Sequence, residues 1–155
     1  MQFCLIDRIV SLEKDKSLQA VKNLTMGEEY LQDHFPGFPV MPGVLMLEAM
    51  VQSAAWLLRV SDDFKPTLVT LAEVNNIKYG QFFTPGGRLN ITVEILGREG
   101  ELVHFKGKGE TEAGVSCSGK FSLKAATLAV LSPRLGEKDE ALRTYFRQKF
   151  KELGG

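Results

Sequence analysis

Apolar and polar residues alternate with a period of two over much of the second half of the chain. The alternation is clearest in the stretches 89–95, 103–105 and 115–124. Such patterning predicts antiparallel strands that have one buried and one solvated face. Three further segments are also predicted to be strands. Two lie near the N-terminus, Phe3–Leu12 and Ser17–Leu24, and one lies in the middle of the chain, Leu68–Tyr79.

The segment Val44–Val60 has a different character, because it is apolar on nearly every face. Its Leu, Met and Ala content favours a helix, and a helix of this kind is normally central and buried. It is about one turn too short to cross a bilayer and contains Glu48, Gln52 and Arg59, so we reject a membrane span. The sequence predicts an α+β fold, with this long helix against a curved, mainly antiparallel sheet of about five to six strands.

After Pro133, apolar residues recur at helical spacing among many charges, which predicts an amphipathic C-terminal helix. Its apolar positions are Leu142, Tyr145, Phe146 and Phe150. We interpret residues 1–128 as a single domain and residues 129–155 as a C-terminal extension. The helix is expected to pack either on this domain or on a neighbouring subunit, and the sequence leaves both open.

Composition and charge narrow the classes of function. The chain has 155 residues, with 19 Lys and Arg against 19 Asp and Glu, whereas nucleic-acid binding needs a basic surplus or a dense basic patch. The two cysteines and two histidines lack the spacing of a zinc site or a disulfide framework, so no metal is expected. Charges within the first eight residues argue against a signal peptide, which indicates a cytoplasmic protein.

The segment with the most chemical information is residues 34–43, HFPGFPVMPG, which leads directly into the apolar helix. Its three prolines make it stiff, and Pro42 suits the first turn of a helix. No Ser, Thr, Asp or Asn stands nearby as a cap, so the N–H groups around Gly43 have no evident side-chain partner. Such a helix end favours an anionic or polarised oxygen, although water or a neighbouring loop would also satisfy it.

Two titratable side chains flank this helix end. Glu48 lies in the second helical turn, with Gln52 four residues on and within hydrogen-bonding reach. A carboxyl among apolar neighbours is disfavoured in its charged form, which suits it to donate a proton, although most helical carboxylates simply face solvent. His34 has the imidazole of a base near neutral pH. A base, an acid and a polarising N–H suit proton removal next to a carbonyl.

The segment 34–52, HFPGFPVMPGVLMLEAMVQ, resembles the signature of the FabZ-type 3-hydroxyacyl-(acyl-carrier-protein) dehydratases, which have the hotdog fold. Weaker matches at 3–8 and 21–25 extend the resemblance, which ends near Lys124. It implies dehydration of 3-hydroxyacyl thioesters on acyl carrier protein to trans-2-enoyl thioesters, in fatty-acid or related acyl-chain biosynthesis. It also implies no metal or redox cofactor, and a homodimer with shared active sites, with trimers of dimers as the further assembly that it suggests.

The resemblance assigns a role to each residue of the motif. His34 would take the α-proton, and Glu48 of the other subunit would protonate the departing β-hydroxyl. The N–H of Gly43 would hold the thioester oxygen as negative charge develops on it. The carbonyl of Val40 would orient His34, and the side chain of Gln52 would orient Glu48.

The resemblance also implies an acyl tunnel and a docking surface for the carrier protein. Trp56, Tyr79 and Phe83 are the aromatic residues expected near the tunnel. Because carrier proteins are acidic, a local basic patch is expected to bind them. Its candidate members are Lys65, Lys78, Arg88 and Arg59.

Two other functions stay open at this point. Another hotdog enzyme, an acyl-CoA hydratase or a thioesterase, would share the thioester pocket but use different chemistry. A non-catalytic acyl-binding regulator would also share it, although simple binding needs neither the base at His34 nor the acid at Glu48.

Overall fold

A computed structural model describes residues 3–155. It contains one six-stranded sheet, one long helix and three C-terminal helices. The elements are β1 (Arg8–Glu13), β2 (Ser17–Asn23), α1 (Gly43–Ser61), β3 (Leu68–Tyr79), β4 (Arg88–Glu99), β5 (Leu102–Thr111), β6 (Gly114–Ala126), α2 (Leu128–Leu131), α3 (Pro133–Gly136) and α4 (Asp139–Glu152). The strands pair antiparallel in the order β1-β2-β4-β5-β6-β3. The predicted α+β architecture is confirmed.

Helix α1 packs against the sheet and forms the centre of the core. Ala49, Met50 and Leu57 on the helix are completely buried, as is Phe105 on the sheet. The helix is long and apolar enough to cross a membrane, but 56% of its most apolar window is buried inside the protein. Burial against the sheet thus accounts for its apolar composition, as predicted for a central helix.

The first predicted strand is wrong at its start, because β1 begins at Arg8 rather than at Phe3. The backbone of residues 3–5 bonds instead to a helix side chain: the Leu5 N–H donates to Gln52 Oε1 at 2.8 Å, and Gln52 Nε2 donates to the Phe3 carbonyl at 3.2 Å. Consecutive burial of Leu5 and Ile6 also breaks the period of two. A contact distant in sequence therefore replaces the strand ladder here.

The alternation predicted along β6 is also wrong at one end. Gly109 pairs with Cys117, whereas the next residue, Glu110, pairs with Val115, so Ser116 is an extra residue in β6. Such a bulge reverses which side chains face inward. Ser116 is consequently buried and Val115 is exposed, opposite to the prediction.

Strand β3 forms one edge of the sheet. It pairs with β6 on one side and has no partner strand on the other within residues 3–155. Three of its large side chains are partly or largely exposed: Leu71, Val74 and Tyr79. A long edge strand with exposed apolar side chains is suited to pairing with another chain.

The C-terminal helix α4 packs on the domain of its own chain, which was one of the two expected placements; the other was a neighbouring subunit. The ring of Trp56 on α1 lies 5.9 Å from that of Phe146 and 6.0 Å from that of Phe150. Phe64, just after α1, lies 5.8 Å from Phe150. These aromatic contacts hold α4 against the end of α1.

Asp139, at the start of α4, fixes the connection between β6 and α4. Its buried carboxylate accepts hydrogen bonds from the Thr67 hydroxyl, from the Leu128 N–H at 2.9 Å and from the Ala129 N–H at 3.1 Å. The Thr67 hydrogen bond is the main cause that lowers the pKa of Asp139 below its ordinary value, against the opposing effect of burial. The charged carboxylate therefore stabilises this connection at neutral pH.

Candidate active site

Helix α1 begins at Gly43, and no side chain in the described part of the chain caps its N-terminus. The N–H groups of Leu45 and Met46 donate to the Pro42 carbonyl, at 2.9 and 3.2 Å. Within residues 3–155, the N–H groups of Gly43 and Val44 have no acceptor. Since a helix N-terminus carries partial positive charge, these two donors are able to bind a polarised carbonyl oxygen.

The ring of Tyr79 lies directly over Gly43. A β-carbon at position 43 would stand 2.8 Å from Cε1 and 3.0 Å from Cδ1 of Tyr79, closer than two carbon atoms pack. Glycine is therefore required here by the ring of Tyr79. Burial, and to a lesser degree the charge of Cys117, raises the pKa of the Tyr79 hydroxyl.

His34 is held by a hydrogen bond between its Nδ1 and the Val40 carbonyl, at 3.0 Å. The loop closes in the same place, because the Val40 N–H donates to the His34 carbonyl, also at 3.0 Å. The His34 ring is half-buried and stacks on that of Phe35, with centroids 4.1 Å apart. A proton on Nδ1 leaves Nε2 with a free lone pair, which is the state of a general base.

Glu48 is held by Gln52, whose Nε2 donates to Glu48 Oε1 at 3.0 Å. Gln52 is itself fixed by the backbone of Phe3 and Leu5, so the amide has little freedom to turn. Glu48 is half-buried in the single chain rather than enclosed by apolar neighbours, as the sequence suggested. The difference arises because this face of α1 borders an open cavity.

That cavity has a volume of about 300 Å³ and extends along one face of α1. Four of its lining residues form the helical stripe Glu48, Gln52, Ala55 and Arg59. His34 does not line it. In a single chain, the carboxyl and the imidazole therefore do not face one common space.

The three aromatic residues predicted near an acyl tunnel lie in three different places. Trp56 forms part of the wall of the Glu48 cavity, beside α4. Tyr79 covers Gly43. Phe83 is buried in the core, where its carbonyl accepts a hydrogen bond from the Met41 N–H at 2.9 Å. Trp56 is thirteen residues beyond Gly43, about 20 Å along the helix. Their part in a tunnel stays a prediction.

Arg59 does not belong to an exposed docking patch, in contrast to the expectation. Its guanidinium lies 4.0 Å from the centre of the Phe146 ring and 5.5 Å from that of Trp56. The other three candidates, Lys65, Lys78 and Arg88, are exposed. Sequence reasoning missed the position of Arg59, because Phe146 comes from a helix more than eighty residues later.

The family model described as a FabA-like domain matches residues 1–119 of the 155. The chain belongs to this family.

Individual relatives show which branch of the family this chain is similar to. The 3-hydroxyacyl-(acyl-carrier-protein) dehydratase FabZ of Caldicellulosiruptor saccharolyticus is 36% identical over 124 residues, which cover 79% of this chain and 89% of that protein. The FabZ of Magnetococcus marinus is 40% identical over 117 residues, which cover 74% of this chain and 76% of that protein. The resemblance of the chain to the FabZ type is confirmed.

The fold is shared with solved structures. A hot-dog-like protein from Thermanaerovibrio acidaminovorans matches with a TM-score of 0.61 at 19% identity, over 82% of this chain and 93% of that one. The predicted hotdog fold is thereby confirmed. The FabA-like match ends within β6, so α2, α3 and α4 lie outside it.

Proposed function

We propose that this protein dehydrates 3-hydroxyacyl thioesters carried on acyl carrier protein to trans-2-enoyl thioesters, as a hydro-lyase of fatty-acid biosynthesis. Membership of the FabZ type supports this activity. The observation that carries it is the pair of fixed side chains: His34, held through Nδ1 by the Val40 carbonyl, and Glu48, held by Gln52. The reaction removes water and is redox-neutral, so it calls for an acid and a base rather than an electron carrier.

The chemistry begins at the thioester carbonyl. Its oxygen accepts a hydrogen bond from the free N–H of Gly43, which lies at the N-terminus of α1. His34 Nε2 removes the α-proton, and the electron pair left on the α-carbon delocalises onto the carbonyl oxygen. The helix N–H stabilises this charge, the kind of interaction that commonly contributes most to such catalysis. The Val40 carbonyl stabilises the imidazolium through its Nδ1–H.

The second half of the reaction releases water. The α-carbon electron pair forms the new double bond as the bond between the β-carbon and its oxygen breaks. Glu48 donates a proton to the departing hydroxyl, and water leaves. Gln52 keeps the carboxyl in one orientation. The imidazolium of His34 then gives its proton, directly or through solvent, to the carboxylate of Glu48, which restores the starting state.

The active site requires two copies of the chain. In one copy, Glu48 lines a cavity that does not include His34. The exposed edge of β3, with its apolar side chains, supports pairing with the same strand of a second copy. Each site of the dimer then combines His34 of one copy with Glu48 of the other, and such dimers assemble further as trimers of dimers.

The carrier protein is bound through local charge. The net charge of the chain is zero, so attraction for an acidic partner depends on particular side chains rather than on the whole surface. Lys65, Lys78 and Arg88 are the exposed candidates.

The test is product formation by the purified protein from a 3-hydroxyacyl carrier-protein thioester. We expect loss of one water and formation of the trans-2-enoyl thioester, measured by mass spectrometry of the intact carrier. The matched control is the same acyl group on coenzyme A. Conversion of the coenzyme A thioester alone would support an acyl-CoA hydratase. Release of the free acid would support a thioesterase, and binding without conversion would support a regulator.

Substitution of Gly43 tests the contact between the helix N-terminus and Tyr79. In Gly43→Ala, the new methyl displaces the Tyr79 ring, since the gap is only 2.8 Å. We expect kcat/KM to fall about tenfold to a hundredfold, the scale of a displaced binding group near the reaction centre. The double variant Gly43→Ala/Tyr79→Ala is the control and should match Tyr79→Ala alone, because the clash is then gone. Unchanged kcat/KM in Gly43→Ala would contradict this contact.

A further inference from the structure

Arg59 ends the stripe of α1 that begins at Glu48. The two residues are eleven positions apart, which is about three helical turns and about 16 Å. They therefore project from the same face, and both line the 300 Å³ cavity. The cavity thus has a carboxyl group at one end and a guanidinium at the other.

The charge of Arg59 has no anionic partner in the described part of the chain. Arginine ion pairs within residues 3–155 involve Arg98 and Arg143 but not Arg59. The Nε of Arg59 is buried and has no hydrogen-bond acceptor there. Burial lowers the pKa of Arg59 to about 10, so the side chain is still charged at neutral pH. The aromatic rings beneath it stabilise the charge but accept no conventional hydrogen bond.

Helix α4 closes this end of the cavity. It contributes Tyr145, Phe146 and Lys149 to the lining. Lys149 is paired with Glu152 at 3.1 Å. Of the two cations in the lining, Arg59 is thus the one without a carboxylate partner in the part of the chain that the structure describes. Because α4 lies outside the FabA-like match, this closed end belongs to the extension of this chain.

The middle of the cavity is apolar. Val51, Ala55 and Trp56 lie between the two charged ends. An alkyl chain placed there would have its reactive carbons near Glu48 and its far end near the guanidinium. A planar guanidinium fits a carboxylate with two parallel hydrogen bonds.

We propose that this cavity binds the distal part of the acyl chain, and that Arg59 selects substrates whose far end is a carboxylate over substrates that end in a methyl group. The proposal rests on the proposed function, since it places the reacting carbons at Glu48. A carboxylate end supplies the guanidinium with the anionic partner that it lacks among residues 3–155. A methyl end leaves this charge without a partner, so it binds less well.

The test compares pairs of 3-hydroxyacyl carrier-protein thioesters of equal length that end in a carboxylate or in a methyl group, over short, medium and long chains. For the wild type, we expect kcat/KM to favour the carboxylate end by about tenfold or more at the matching length. Arg59→Met keeps an unbranched stem over the aromatic rings but removes the charge. We expect it to abolish the preference, mainly through a higher KM for the carboxylate-ended substrate.

Arg147→Met is the matched control. Arg147 also places its guanidinium over an aromatic ring, 5.6 Å from the centre of Phe64, but it does not line the cavity. Its variant should keep the preference. A wild type without preference, or an Arg59→Met variant that keeps it, would overturn the proposal. A lower unfolding temperature for Arg59→Met with an unchanged ratio would show that Arg59 only fastens α4, which also overturns it.

A binding measurement separates this proposal from the dehydratase activity. Acyl thioether analogues with the two chain ends are titrated into the wild type and into Arg59→Met by calorimetry. Tighter binding of the carboxylate end to the wild type alone supports the subsite even if no substrate is dehydrated. Equal affinities for the two ends overturn it even if both substrates are dehydrated.

Discussion

Replacing His34 by alanine is expected to slow enoyl formation from a 3-hydroxyacyl carrier substrate by at least ~10²–10³-fold, the scale of a general acid–base contribution. The imidazole is the base, and its Nδ1 bond to the Val40 carbonyl selects the tautomer of the neutral ring whose free lone pair is on Nε2. Initial rates at saturating substrate measure the effect. His104→Ala is the matched control and should stay near the wild-type rate, because that imidazole contacts Ser122 on the sheet.

Glu48→Gln should show a loss of the same scale, because an amide keeps the size of the side chain but cannot protonate the leaving hydroxyl. Its contact with Gln52 is retained, because the amide oxygen of the variant accepts the same hydrogen bond from Gln52 Nε2, so the helix should be undisturbed. Circular dichroism and unfolding temperature, measured alongside the rates, check that both variants are folded. Wild-type rates in His34→Ala and Glu48→Gln would contradict the mechanism.

Mixing these two inactive variants is expected to restore about one quarter of the wild-type activity. After random exchange in a twofold-symmetric dimer, about half of the dimers are mixed, and one of their two sites holds both intact residues. That site forms only if His34 and Glu48 come from different copies. A site built within one chain would gain nothing, because every chain lacks one of the two residues.

The mixing experiment needs proof of exchange. Native mass spectrometry of differently tagged variants measures the fraction of mixed dimers, and each variant mixed with itself is the control. Mixed dimers without recovery of activity would contradict the shared site. A stable monomer in sedimentation of the wild type would contradict it as well.

Much of the fold is predictable from the chain alone. Alternation located the central strands, and the nearly continuous apolar segment located α1 within one residue at each end. The two failures differ in range. Residues 3–5 bond to Gln52, which is distant in sequence, rather than extending β1. The bulge at Ser116 is local, because it arises from the register of the β5–β6 hairpin, which alternation alone does not predict.

The candidate site also has some features that spacing along the sequence predicts and others that it does not. The motif around His34 and Glu48, its uncapped helix and the pairing of Glu48 with Gln52 follow from spacing of up to about ten residues, which local backbone geometry determines. The ring of Tyr79 over Gly43 does not follow from spacing, nor does the position of the Arg59 guanidinium over the ring of Phe146. These contacts depend on how the sheet edge and the extension pack against α1.

The sequence by itself therefore determined the strands, the buried helix, and the base and acid proposed for the reaction. Only the tertiary structure decided that the carboxyl opens onto a cavity that His34 does not line, and that the guanidinium at its far end has no anionic partner among residues 3–155. The physical reason is the range of the forces involved. Periodicity and capping act between neighbours along the chain, whereas the shape and charge of a cavity depend on side chains that folding brings together from distant segments.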